Sequence, residues 1–405
     1  MVDKLINIIQ KLRVPKVILR YIMMNFLDLS TINNLLLTIK EMNILDMYSK
    51  DLIIKANKGF EWNCQNGHLT VVRWLYSLGE VDIHADNESA FRLSCQNGHL
   101  TVAQWLYFLG EIDIHVVTEY AFRLSCQNGH LTIAQWLYSL GEVDIHAINE
   151  LAFRWSCQNG HLTVAQWIYF LGEVDIHVVT EYAFRWSCLN GHLTVAQWLY
   201  SLGKVDIHAN NGDAFTWSCK NGHLSVAQWI YFLGNVNVRV INEYAFPWSC
   251  RNGHLAVAQW IYSLGNVNIH VWDEYAFRWS CADGHLAVAK WLYSLGNVNI
   301  HVWDEYAFRW SCADGHLTVA KWLYSLGGVN IHADDEYAFR LSCVEGHLTV
   351  AQWLYSLGEG MDRTDPSSSA RKGQGGVNIH AHKEHAFKCT NKDILDWLNN
   401  LPQKD

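Results

Sequence analysis

The stretch Glu181-Tyr182-Ala183-Phe184-Arg185-Trp186-Ser187-Cys188-Leu189-Asn190-Gly191-His192-Leu193-Thr194-Val195-Ala196-Gln197-Trp198-Leu199-Tyr200-Ser201-Leu202-Gly203 decides the fold. Val195, Trp198, Leu199 and Leu202 fall at i, i+3, i+4 and i+7, one face of a helix, and Gly203 supplies a stop. Tyr182 to Cys188 reads as a shorter helix that Leu189-Asn190-Gly191 breaks, since glycine takes the positive φ of a tight turn. Thr180 is a candidate N-cap for that helix with Glu181 in its first turn, as are Asn149, Asn242, Asp273 and Asp335 in other units. Val205 to His208 alternates in polarity and reads as a short extended link.

The same phrase runs along the whole chain. Its Gly-His pair stands at Gly67, Gly98, Gly129, Gly160, Gly191, Gly222, Gly253, Gly284, Gly315 and Gly346, each 31 residues after the last. A period of 20 to 50 residues means a stack of one supersecondary unit, so the expected fold class is an all-α helical-repeat solenoid. The 405-residue chain grows by adding units and needs no second core. A lone helix pair cannot bury its own apolar face, so the second-helix Trp, from Trp74 to Trp353, must be sheltered by neighbours. Burying about 200 Å² of each at ~25 cal/mol/Å² is worth about 5 kcal/mol per unit, before conformational entropy removes most of it.

Composition narrows the function. A net charge of −9 argues against a nucleic-acid partner, which needs clustered Lys and Arg. No apolar run approaches the ~20 residues of a membrane span, and the amino terminus lacks the long apolar core of a signal peptide, so an intracellular, cytoplasmic protein without membrane attachment is expected. Cys64, Cys95 and their successors recur with the period. Equivalent positions in a helical stack lie about 8–10 Å apart, beyond the ~7 Å disulfide limit, so they read as small buried residues in a reducing compartment. The Cys-x-x-x-His element invites a zinc site or a thiol nucleophile. Zinc needs four ligands converging on one point, and a catalytic dyad needs one pocket, whereas this array presents one Cys and one His per layer, repeated ten times. No catalysis, metal or cofactor is expected. The series Arg92, Arg123, Arg154, Arg185, Arg278, Arg309 and Arg340 is expected to pair with the Glu of its own first turn, with an anion-binding stripe as the alternative. The 21 His together are expected to make stability sensitive below pH ~6.5.

The unit resembles the ankyrin repeat. Gly191-His192 and Gly203 match that consensus outright, Tyr182, Ala183, Phe184 and Arg185 take the place of its Thr-Pro-Leu-His, and Ser187-Cys188 that of its paired alanines. The resemblance covers roughly residues 52 to 400. It departs in lacking the Thr-Pro-Leu-His tetrad and in a repeat of 31 rather than about 33 residues, the shortfall lying in the hairpin finger. The Trp-rich dialect is similar to the ankyrin-like arrays of giant amoeba-infecting DNA viruses, for which the compartment would be the host cytoplasm. The resemblance implies an ankyrin-like solenoid with short hairpin fingers and non-catalytic protein–protein binding along a concave groove, by a monomer, to an unknown protein partner. It also implies that the Gly-His histidines bond backbone across the turn. On it, the partner-binding positions are the variable ones of the two strips that line the groove: Val117, Ile148, Val179, Trp272, Trp303 and Asp334 in the fingers, and Asn97, Asn128, Lys220, Arg251, Asp283, Asp314 and Glu345 in the turns between helices. Trp272 and Trp303 are the best anchors, the alternative being that they pack on one another. Phe108, Phe170 and Phe232 replace Ser in alternate units, and units 266–296 and 297–327 differ only at Ala287 and Thr318, a mark of recent duplication.

The ends differ. Pro15, Ile18, Leu19, Ile22 and Leu27, within residues 1–50, resemble the F-box pattern that docks a Skp1-type adaptor of cullin ubiquitin ligases; the alternative reading is a helical cap. With an F-box the chain would be a substrate receptor. The array proper spans 51–357, residues 358–376 read as a disordered finger insertion rich in Ser, Gly and Lys, and 377–405 as a degenerate capping repeat.

Overall fold

The computed structural model describes residues 50–77, 81–234, 236–265, 267–359, 377–378 and 385–401. The F-box or cap positions Pro15, Ile18, Leu19, Ile22 and Leu27, and residues 360–376 of the insertion, lie outside them. The described chain is all-helical and divides into two compact units, 1–187 with 194–205 and 188–193 with 206–405. Each unit is a succession of helical hairpins, and among the described residues no strand intervenes between them. A representative hairpin in the first unit pairs Val116–Gln127 with Leu131–Ser139, and one in the second pairs Val302–Ala313 with Leu317–Leu326.

The sequence dictates where each hairpin turns. Asn128 ends the first helix and Gly129 follows at φ 78°. The Gly129 N–H donates to the Cys126 carbonyl at 3.2 Å and the His130 N–H to the Ser125 carbonyl at 2.9 Å, a double closure that satisfies the last carbonyls of the helix. The His130 carbonyl then accepts from Ile133 and Ala134 and opens the second helix.

Glycine and histidine belong to one device that spans two repeats. The His130 ring lies back against the preceding hairpin turn, where its Nε2 is 3.0 Å from the Gln96 carbonyl. A Cβ on Gly98 would stand 2.8 Å from that ring. The expected backbone bond is therefore present, but it is made to the repeat before.

The core is built from the repeated positions. Phe91, Phe122, Phe153, Phe277, Phe308 and their counterparts are fully buried with the periodic cysteines and alanines, and Ser125 satisfies itself by donating to the Phe122 carbonyl at 2.7 Å. Second-helix indoles are sheltered by the preceding hairpin: Trp136 meets Phe91 at 6.2 Å and the edge of Tyr107 at 5.7 Å, and Trp322 meets Phe277 and Tyr293 in the same way. Such aromatic pairs add roughly 0.5–1.5 kcal/mol each beyond area burial. The pattern persists at the carboxyl end, where Trp397 on helix Lys392–Asn399 packs on Phe339 and Tyr355 and Asn391 caps the helix by accepting from Asp393 and Ile394. The helix Leu348–Glu359 takes in the first two residues of the segment read as a disordered insertion.

Candidate interaction surface

The finger positions form a left-handed turn. Val117, Thr118 and Glu119 have φ of 55°, 55° and 60°, and the same three positions are left-handed in the repeats beginning at 85, 147, 178, 271, 302 and 333. This corrects the N-cap expectation, because Thr180, Asn149, Asp273 and Asp335 sit inside the turn instead of capping a helix in extended geometry. A left-handed residue costs about 1–2 kcal/mol, and β-branched Val and Thr are among the least suited to it.

Three side chains hold the turn. Arg123 donates through Nε to the Thr118 carbonyl and through Nη2 to the Val117 carbonyl, both at 2.7 Å. All seven arginines of the series do the same with their own turns. The expected Arg–Glu pairing is thus replaced: the buried Glu119 carboxylate lies 2.7 Å from His115 Nδ1. His and Glu pair four apart in the same seven repeats. Glutamate also reaches the next link, since Glu305 accepts from the Asn330 N–H at 3.2 Å and Glu336 from Asn378 at 3.1 Å. A bond from a charged donor is worth roughly 1.5–3 kcal/mol, so the two from each arginine suffice to offset the strain of the turn.

Two adjacent repeats depart. In 209–220 Gly212 stands in the Glu place and Thr216 in the Arg place, and the turn stays left-handed because Asn210, Asn211 and Gly212 tolerate that region intrinsically. In the next, Arg239 replaces His and Pro247 replaces Arg, and the chain starts right-handed: Asn237 caps Val238–Val240, a π turn covers Ile241–Ala245, and Phe246–Arg251 follows. Proline lacks an N–H and blocks a regular helical bond, which the widened turn before it accommodates. Asn242 accepts from the Asn268 N–H at 2.8 Å and so does for this repeat what glutamate does elsewhere.

The variable positions named from the sequence reach two environments. Val117, Ile148 and Val179 are exposed on left-handed turns, as is Asp334, which also receives Arg309. Asn97 and Asn128 are exposed but fold back onto the Leu93 and Leu124 carbonyls. Asp314 and Glu345 are exposed. Lys220, Arg251 and Asp283 are instead engaged within the chain. Lys220 Nζ lies 4.3 Å from the Trp248 ring centre, and the Arg251 guanidinium lies 3.6 Å from that of Trp279 while it donates to Tyr275 and Asp283. These cations edge a row of half-buried rings, Trp248, Tyr275, Trp279, Tyr306, Trp310 and Tyr337, spaced 5.7–6.3 Å along the second unit.

Trp272 and Trp303 remain 46% and 57% exposed. Their ring contacts among the described residues are with Tyr244, Tyr275 and Tyr306, not with one another. Trp303 is also faced by the Arg278 guanidinium at 3.9 Å. Phe108, Phe170 and Phe232 are more exposed still, at 75–77%, near the carboxyl ends of second helices. Sequence reasoning alone does not mark them as contact residues. The available signal was that other repeats carry Ser there, at a helix position outside the i, i+3, i+4, i+7 face.

The periodic cysteines are buried, and burial pushes thiols such as those of Cys126 and Cys312 far above the ordinary range and that of Cys343 to about 12. Such thiols are neutral and enclosed. Among the described residues no group of three or more His, Cys, Asp or Glu is placed to hold a metal ion, and no helix is long and apolar enough to cross a membrane. No family model and no curated protein matches the chain.

Proposed function

We propose that the array is a non-catalytic protein-interaction scaffold of ankyrin-repeat type, acting inside the cell. The observation that carries this reading is the partition of side chains: the recurring Phe, Cys, Ala and helix-face aliphatic residues are buried, while exposed apolar side chains stand at positions that vary, Val117, Ile148, Val179, Trp272 and Trp303 with the phenylalanines of alternate repeats, beside recurring half-exposed second-helix tyrosines such as Tyr138 and Tyr200. Exposed large aromatics on a rigid scaffold are favoured contact anchors. The neutral, enclosed thiols and the repetition of every chemically suggestive residue support binding over catalysis.

The test is an affinity purification from cells that express the full chain, with two variants beside it. Trp272→Ala/Trp303→Ala removes the indoles, and Phe108→Ser/Phe170→Ser/Phe232→Ser installs the residue that other repeats already carry. A partner recovered by the native chain and lost from either variant, with circular dichroism and urea midpoint unchanged, supports the reading. Equal recovery by all three, or a folded chain that turns over a substrate, sinks it.

A further inference from the structure

The loss of arginine from repeat 209–220 leaves a mark on the surface. A cleft of about 640 Å³ opens there, with Asn210, Asn211, Thr216, Trp217, Tyr244 and Trp248 in its lining. Its position is the place that a guanidinium fills in the ordinary repeats. There the arginine binds the carbonyls five and six residues before it, and in Arg154, Arg278 and Arg309 it also lies 4.8–4.9 Å from the ring of the Tyr 28 residues after it. Counted from Thr216, the same places are held by Asn211, Asn210 and Tyr244, all in the cleft wall. Among the described residues no side chain donates to the Asn210 or Asn211 carbonyl.

We propose that this cleft receives an arginine side chain presented by a bound protein. The chain itself displays the chemistry: seven arginines each bond two carbonyl acceptors on a left-handed turn, and six of them lie within about 6 Å of an aromatic ring, a setting that selects a planar, two-pronged cation. The first acceptor keeps its orientation, with Asn210 at φ 54°, ψ 46° against Val117 at φ 55°, ψ 44°. The second is turned, with ψ 34° at Asn211 against 69° at Thr118, and the Asn210 and Asn211 carboxamides supply further acceptors at the wall. Two cations also line the cleft and each has a partner: Lys220 lies over Trp248, itself part of the wall, and Arg239 pairs with Glu243 at 2.9 Å. An ammonium has neither the fork nor the flat face, so lysine is a poorer fit.

The identity of the occupant rests on the scaffold reading, but the test requires no partner. N-acetyl-arginine amide, N-acetyl-lysine amide and acetate are titrated into the full chain while the indole N–H resonances of Trp217 and Trp248, assigned through Trp→Phe variants, are followed by NMR. The expected result is saturable shifts with arginine amide, at an affinity at least about fivefold above lysine amide, and none with acetate. Thr216→Arg should fill the cleft from within and abolish the response. Tyr244→Ala should weaken it several-fold and serves as the test if the first variant does not fold. No shift with arginine amide, equal shifts with lysine amide, or shifts with acetate alone would overturn the proposal. Failure of the titration leaves the scaffold reading standing, and failure to recover a partner leaves the titration standing.

Discussion

The repeat at 116–139 and the pair of repeats at 209–263 share a period, a buried Phe, a buried Cys and a sheltered Trp, yet they begin their first helices differently. In the former, Val117 and Thr118 are held left-handed by Arg123, with His115 and Glu119 beside them. In the latter, one turn is left-handed through its own Asn-Asn-Gly and the next is right-handed. The difference teaches that the core fixes the stacking of helices while a three-residue polar set fixes the hand of the connection. Strain at the connection is tolerated only where neighbouring groups over-determine it.

The largest effect should come from removing the clamp. Arg123→Ala is expected to lower stability by roughly 3–5 kcal/mol, because two β-branched residues would stay left-handed without their charged donor. Thr216→Ala, at the equivalent place, should cost less than about 0.5 kcal/mol. Urea denaturation measures both, and equal losses would break the comparison. Next is the hairpin turn that both regions share. Gly222→Ala brings a Cβ within 2.5 Å of His254, whereas Gly203, also at positive φ, has open space around it. The first should cost about 2–3 kcal/mol and the second about 1 kcal/mol.

A smaller change should reverse the hand. Arg239→His/Pro247→Arg completes a His–Glu–Arg set around Glu243, and the start of that repeat is expected to become left-handed with stability altered by no more than about 1 kcal/mol. A crystal structure in which residues 241–243 keep negative φ would refute this. The smallest effect is on pH. Burial, partly offset by backbone bonds in all but His285, holds His130, His161, His223, His254 and His285 below the ordinary histidine value. A lowered folded pKa means that the unfolded chain takes up protons first, so stability falls as pH drops below about 6.5. His84 opposes this, since its bond to Glu88 raises its pKa and contributes stability that is present in acid and lost as pH rises through the raised value. The five outweigh the one, and the urea midpoint should be lower at pH 5.5 than at 7.5. Because the Gly-His pair recurs in both regions, acid should weaken both alike; a higher midpoint in acid would contradict the assignment.

Much of the fold was legible in the chain. The Gly-His period located the hairpins, and the i, i+3, i+4, i+7 face of Val195, Trp198, Leu199 and Leu202 gave the second helix. The turn before the first helix was misread because Thr180 and Asp273 have the chemistry of caps, and composition alone does not report the sign of φ. The arginine partners were misread for a related reason. Glu four residues before Lys or Arg is a familiar helical pair, but a left-handed turn redirects the carbonyls of residues five and six back toward the guanidinium. Of the candidate surface, the sequence marks Trp272 and Trp303, while the exposure of Phe108, Phe170 and Phe232 emerges only once the helices are oriented against their neighbours.

Sequence by itself determined the period, the helical hairpin and the burial of its recurring Phe, Cys and helix-face aliphatic residues, because local periodicity and a glycine stop act within one unit and are copied wherever the unit is copied. Only the tertiary structure decided the hand of each connection and the opening left beside Thr216. Both depend on groups that meet through folding, a guanidinium on carbonyls five and six residues back and an aromatic ring 28 residues on, and side-chain identity does not state those geometries until the backbone has placed them.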